Sequence, residues 1–362
     1  MPDRCNVALN CVKVESNLAG FRAVKKSLAE PFSEKLVEVK MTQLVKKFFI
    51  SASVLAGLGA IAPAPSLAAS ITGASIGGTA PYLTYSSGGG HTFTVANTQG
   101  NVQAALDGDS SVPGGNVELF SNSEQSSLSP SLNTSISQTF TSFYNFLGYN
   151  QYTSLSGQIG GQDITLSSLM ATDWFGQSAV NSVKTAIANA SAIANPIAKA
   201  IAFSAAIAPL YNSANLATQW FNQALSNYGF TSNQQLFNIF LLAGGFQRFS
   251  DPNISYVNQD GETIKIGLAG HYDALALLGI PPIPGLSLQA SELVKVVYGA
   301  KTEYKYSFKA TRSGLTALGD GISHRGNYEV AVEAVPEPTT MLGLILGGGS
   351  LIAAKRKSLK KA

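Results

Sequence analysis

The chain has 362 residues and a mass of 37.8 kDa, is 45% hydrophobic and only 12% charged, where a soluble domain carries roughly 25% charged residues. Its formal net charge of +3 conceals an acidic middle: residues 1–69 hold nine Lys/Arg against five Asp/Glu, residues 70–338 hold ten against sixteen, and residues 339–362 hold five against none. Nucleic acid binding needs Lys and Arg gathered on a folded surface, which sets that class aside, and the scarcity of charge argues against an ordinary cytosolic enzyme.

Residues 1–40 differ from the rest of the chain, because twelve of them are charged and both cysteines, Cys5 and Cys11, lie there. They are expected to be an over-extended N-terminus outside the fold, with Met41 as the start. The remaining chain has no cysteine and so no disulfide, thiolate metal site or cysteine nucleophile. Residues 41–69 have the layout of a secretory signal peptide: a basic start at Lys46 and Lys47, an apolar run over 48–62, a break at Pro63 and Pro65, and small residues Ser66 and Ala68 ahead of a cut between Ala68 and Ala69. That layout implies a Sec translocon and signal peptidase as partners. The run is 15 residues long, shorter than the roughly 20 that a stable membrane span needs, and no cysteine at the cut supports lipid anchoring.

Residues 70–335 are expected to form one exported α+β domain: short N-terminal strands, a central helical segment and a C-terminal antiparallel sheet. Residues 70–135 are rich in Gly, Ser, Thr and Asn, with alternation at Thr92–Val95 and Asn116–Phe120 and turn signals at Gly88-Gly89-Gly90 and Pro113-Gly114-Gly115. From Asp173 to Gly244 the period changes. Val180, Val183, Ile187, Ala190, Ala194, Ile197 and Ile201 recur at helical spacing. Asn195 before Pro196 reads as an N-cap that splits the stretch in two, and Pro209 ends the second helix. Ser213 is expected to open a helix carrying Trp220 and Phe221, Ser232 with Gln235 to cap the next, and Gly244-Gly245 to close it. A membrane hairpin over 187–208 is the weaker reading, since Pro196 and Lys199 fall inside it.

From Arg248 the period becomes two. Ile254–Val257 and Thr263–Leu268 flank the turn signal Asp260-Gly261, and Glu292–Tyr298 precedes Thr302–Ala310, where Tyr304, Tyr306 and Phe308 share the inner face. Asp320-Gly321 reads as a turn, and Tyr328, Val330 and Val332 line a last strand.

That strand runs into residues 336–362. Pro336-Glu337-Pro338, an apolar stretch from Thr339 to Ala354, and the basic cluster Lys355-Arg356-Lys357 succeed one another, and together they resemble the PEP-CTERM sorting signal of Gram-negative bacteria. Sixteen residues at 1.5 Å rise span roughly 24 Å, short of a bilayer core of about 30 Å, and Gly347-Gly348-Gly349 weakens the helix further. Such a segment pauses in the inner membrane without being held there firmly. The basic cluster would stay cytoplasmic, leaving the Pro-Glu-Pro motif on the outer side. The resemblance implies processing by an exosortase and release, or attachment to the cell surface or its exopolysaccharide. It covers about the last 27 residues and describes handling, not activity.

Signals for chemistry in 70–335 are weak. Gly73-Ala74-Ser75-Ile76-Gly77 matches the nucleophile-elbow pattern, but no long helical pattern comes after it. The three histidines, His91, His271 and His324, are widely spaced, unlike zinc ligands. His271 and Asp273, two apart, are a candidate imidazole–carboxylate pair, with a loop cap as the plainer reading. Asp251-Pro252-Asn253 reads as a turn. Asp107-Gly108-Asp109 and Asp320-Gly321 resemble fragments of calcium loops without the remaining ligands, so calcium is a weak candidate and no other metal or cofactor is expected. Tyr82, Tyr85, Tyr304 and Tyr306 could stack on sugars, but core or edge-strand roles are the commoner use. Two functions remain: a non-enzymatic surface or matrix protein bound to extracellular polysaccharide, and, as the alternative, a secreted glycan hydrolase working through two carboxylates about 5 to 9.5 Å apart.

Overall fold

A computed structural model describes residues 69–120, 136–274 and 287–334. The signal peptide through Ala68, the Pro336-Glu337-Pro338 motif and the Lys355-Arg356-Lys357 cluster lie outside the described residues. The described chain is α+β. In order it runs β1 (Ala69–Ser70), β2 (Thr72–Gly78), β3 (Tyr82–Gly88), β4 (His91–Val95), α1 (Gln99–Leu106), β5 (Gly115–Leu119), α2 (Ile136–Gly148), β6 (Thr153–Ile159) and β7 (Gln162–Ser167). The helical stretch comes next as α3 (Ala171–Phe175), α4 (Gln177–Ser191), α5 (Pro196–Ile207), a 3-10 turn (Ala208–Leu210), α6 (Leu216–Asn227), α7 (Gln234–Leu242) and α8 (Gly245–Arg248). The chain then returns to strands: β8 (Asn253–Asp260), β9 (Thr263–Gly270), β10 (Val294–Tyr298), β11 (Lys301–Lys305), β12 (Ala310–Arg312), β13 (Thr316–Ala317) and β14 (Gly326–Glu333).

The strands on either side of the helices do not form separate sheets. One nine-stranded sheet has the order β12-β14-β9-β8-β5-β3-β4-β13, with β1 also beside β8, and a five-stranded sheet has the order β11-β10-β7-β6-β2. N-terminal β5 pairs with C-terminal β8 through Val117 opposite Ile254, and β1 pairs with the other end of β8 through Ala69 opposite Gln259. The pairings are antiparallel except β13 with β4. The expected strand Thr302–Ala310 is divided, because β11 ends at Lys305 in one sheet and β12 begins at Ala310 in the other.

Alternation along the strands makes the first core. Val117, Leu119, Ile254, Val257, Ile264, Ile266, Leu268, Tyr328 and Val330 from the large sheet meet Leu155, Ile164, Leu166, Val294 and Val296 from the small one, with Val102 and Leu106 of α1 beside them. Each such side chain contributes roughly 1.5–3 kcal/mol on burial. Ile254 and Val257 are three apart, which strict alternation forbids. A bulge between Ile254 and Tyr256 restores the phase, so both enter the core while Ser255 is left over. Opposite the bulge stands Gly267, where a Cβ would lie 2.2 Å from the Tyr256 ring.

The second core is helical and aromatic. Trp174, Trp220, Phe237, Phe246 and Phe249 are buried together, with the Trp174 and Trp220 ring centroids 5.8 Å apart. Trp174 Nε1 donates to Ser250 Oγ at 2.9 Å, so its polar handle is satisfied. Asn195 caps α5 as the sequence predicts, accepting from Ile197 N and Ala198 N at 3.0 Å. Three expectations need correction. The apolar face of α4 ends at Ala190, whereas Ile197 and Ile201 are 68% and 66% exposed, because the restart at Pro196 breaks the helical phase and α5 buries Phe203, Ala206 and Ile207 instead. The caps of α6 and α7 are Asn215 and Asn233, not Ser213 and Ser232, since Asn and Ser cap about equally well and sequence pattern does not choose between neighbours. Helix α1 stands in a stretch expected to hold only strands and turns, and helix α2 and the hairpin β6–β7 were not anticipated, although Phe140, Phe143 and Leu147 recur at helical spacing in α2. No helix among the described residues is long and apolar enough to cross a membrane.

Candidate functional site

The face of the large sheet turned away from the first core is polar. Tyr85, Thr92, Asn116, Ser255, Tyr256, Asn258, Asn327 and Glu329 alternate with core residues along β3, β4, β5, β8 and β14. Two stretches of chain roof it. Residues 107–114 are held by Asn258 Nδ2, which donates to Gly108 O at 3.0 Å, and by Asn327 Nδ2, which donates to Ser110 O at 3.3 Å. Residues 313–325 form a strap that pairs β13 with β4 and then places His324 on the sheet.

His324 is 5% exposed and holds φ at 63°, in the left-handed region that a residue other than glycine seldom adopts. Its Nδ1 lies 2.7 Å from Thr92 Oγ1 and 3.3 Å from Asn116 Nδ2. The amide N–H can only donate, so Nδ1 accepts and the proton sits on Nε2. The Tyr85 ring meets the imidazole edge-on at 4.7 Å, while Tyr85 Oη donates to Glu118 Oε2 at 2.9 Å. Burial pushes the His324 pKa down to about 4, with the positive form of His271 adding to the fall and Asp320 opposing it. Beside it, Asn116, Ser255 and Asn327 line a cavity of about 10 Å³, far below the roughly 300–1,000 Å³ of a pocket for a small-molecule ligand.

His271 and Ser323 come together, which the sequence did not reveal. His271 Nε2 lies 3.4 Å from Ser323 Oγ, and Ser323 Oγ donates to Asp320 Oδ2. The order of contacts is wrong for nucleophilic catalysis. In a triad the carboxylate orients the imidazole and the imidazole takes the serine proton; here the serine proton is held by the carboxylate. Burial lowers the pKa of His271, with Asp320 and Asp273 opposing that fall. Asp273 Oδ1 accepts from Leu288 N at 3.2 Å, while its charge also acts on His271.

The remaining candidates are spread over the structure. Asp109 Oδ1 accepts from Ser111 N, Ser111 Oγ and Val112 N at 2.6–2.9 Å, and these bonds, Ser111 foremost, hold its pKa down. Asp107 ends α1 and accepts from Gln103 Nε2 at 2.9 Å. Asp320 Oδ1 accepts from Ile322 N and Ser323 N. All three are turn or cap carboxylates, and among the described residues no group of three or more His, Cys, Asp or Glu is placed to hold a metal. Ser75 sits exposed inside β2, which continues to Gly78 and leads to β3, so Gly73–Gly77 is not an elbow between strand and helix. Tyr304 and Tyr306 pack on the helical core and donate to Asp173 and Gln223 at 2.9 and 2.6 Å. Tyr82 donates to Asn97 O at 3.1 Å. Ala69, the first residue after the expected cut, is already in a strand.

Asp173 links the helical segment to the small sheet. Its Oδ2 accepts from Met170 N at 2.9 Å at the start of α3, and its Oδ1 accepts from Lys295 Nζ at 2.8 Å and Tyr304 Oη at 2.9 Å. The side chain is 6% exposed and ties the helices to β10 and β11. Comparison of the chain with protein-family models, curated proteins and solved structures finds no match.

Proposed function

We propose that the protein is an exported, non-enzymatic component of the cell surface or extracellular matrix, associated with exopolysaccharide and handed on by an exosortase that reads Pro336-Glu337-Pro338. The observation that carries this reading is the order of segments: a signal-peptide layout over 41–69, a folded region, then Pro-Glu-Pro, an apolar stretch and Lys355-Arg356-Lys357. The fold supports it in two ways. The last strand, β14, lies between β9 and β12 with Tyr328, Val330 and Val332 buried, and Ala334 N still donates to Glu262 O at 2.8 Å. In sequence the motif begins at Pro336, three positions after β14 ends at Glu333. In addition, Asp109, Asp173 and Asp320 are engaged in turns and an ion pair, a use of carboxylates that suits a structural protein better than a glycan hydrolase.

Mass spectrometry of both termini of the native protein, from cells with and without the exosortase, tests the proposal. It expects an N-terminus at Ala69 and a C-terminus near Pro338 that depends on the exosortase. A full-length product retained in the cytoplasm in both strains overturns it.

A further inference from the structure

The small cavity beneath the strap has a chemistry of its own, independent of the export reading. Asn116 and Ser255 are 1% exposed and Asn327 is 4% exposed, and all three line the same space of about 10 Å³ together with His324. The two amide nitrogens are used, by His324 Nδ1 and by Ser110 O. The oxygens are not: Asn116 Oδ1, Ser255 Oγ and Asn327 Oδ1 are buried without a protein hydrogen-bond partner among the described residues. Buried polar atoms are rarely left in that state. Two are pure acceptors and the third, a hydroxyl, can donate.

We propose that this cavity is a binding site for a single water molecule that links three strands of the large sheet beneath the strap. The volume is about that of one water-sized sphere, and a buried water makes typically two to four hydrogen bonds. Donating to Asn116 Oδ1 and Asn327 Oδ1 and accepting from Ser255 Oγ–H, one water satisfies all three orphaned atoms. A metal cation fits less well, because no carboxylate lines the space and a buried charge without a counter-charge is strongly disfavoured. A sugar hydroxyl is excluded by the size of the ring that carries it. The bulge in β8 is what makes the site, since it turns Ser255 away from the first core. The water would thus join β5, β8 and β14, three segments distant in sequence, at the point where the strap rests.

A high-resolution crystal structure of the full chain decides the matter. The expected result is one density peak at hydrogen-bonding distance, roughly 2.6–3.2 Å, from at least two of the three oxygens. In the Ser255→Val variant, whose added methyl fills the space, the peak should disappear while the strap stays in place. Should that variant fail to fold, the wild-type map still decides. A wild-type map with no peak, or a peak ringed by oxygens at roughly 2.3–2.6 Å as around calcium, overturns the proposal.

Discussion

Acid should weaken this fold through His324 before its turn carboxylates are touched. The imidazole is 5% exposed, and its Nδ1 accepts a hydrogen bond from the Asn116 amide, so protonation there sets a proton against a donor. With its pKa moved from 6.5 down to about 4 in the folded state, the unfolded chain binds the extra proton first as the pH falls. Stability from this group is intact above pH 6.5 and is lost progressively down to about pH 4. At about 1.4 kcal/mol per pH unit the loss sums to roughly 3 kcal/mol, a large part of the 5–15 kcal/mol typical of a domain. His271, also lowered by burial, acts in the same direction. Asp109 and Asp320 have pKa values held below 3.8, so their stabilisation is lost only at still lower pH. Urea unfolding followed by the fluorescence of Trp174 and Trp220 at several pH values between 7 and 4.5 measures the slope. His324→Asn is the matched variant, because Asn tolerates the left-handed backbone and offers an oxygen near the place of Nδ1. The variant should be less stable at pH 7, through lost contact with Tyr85, yet fall much less steeply with pH. Parallel falls for both proteins would refute the reasoning.

Other perturbations separate the parts of the structure. Gly267→Ala forces a methyl to within 2.2 Å of the Tyr256 ring and 2.5 Å of Ser255 Oγ, so a loss of about 1–3 kcal/mol is expected in urea unfolding; an unchanged midpoint would mean the bulge yields freely. Asp173→Ala strands Lys295 and frees the start of α3, and should cost about 3 kcal/mol, less than a fully buried pair because Lys295 is 29% exposed. Asn195→Ala removes the cap of α5 and should cost about 1 kcal/mol. Ile201→Gln, by contrast, should change stability by no more than about 0.5 kcal/mol, since the side chain is 66% exposed. A loss of several kcal/mol there would show that α5 buries the face that the sequence period assigned to it.

Local chemistry was legible from residue order alone. The proline-preceded cap at Asn195, the turns at Gly89-Gly90 and Gly261, the buried stripe Val180, Val183, Ile187 and Ala190, and the alternation of Tyr328, Val330 and Val332 each depend on neighbours within one or two turns of chain. The sorting signal proposed for residues 336–362 is likewise read from adjacent segments. Assembly was not legible. That β5 lies against β8, that β11 and β12 belong to different sheets, and that Ser323 meets His271 across 52 positions all result from which apolar faces can cover one another. Alternation says that a strand has an inside without saying what lies there. The cluster around His324 shows the same limit: Thr92 and Asn116 are 232 and 208 residues away from it in sequence, and the alternation that begins at each gives a strand without giving its partner. Only closure of the large sheet, with the strap laid across its outer face, brings them within reach of one ring and takes water away from it.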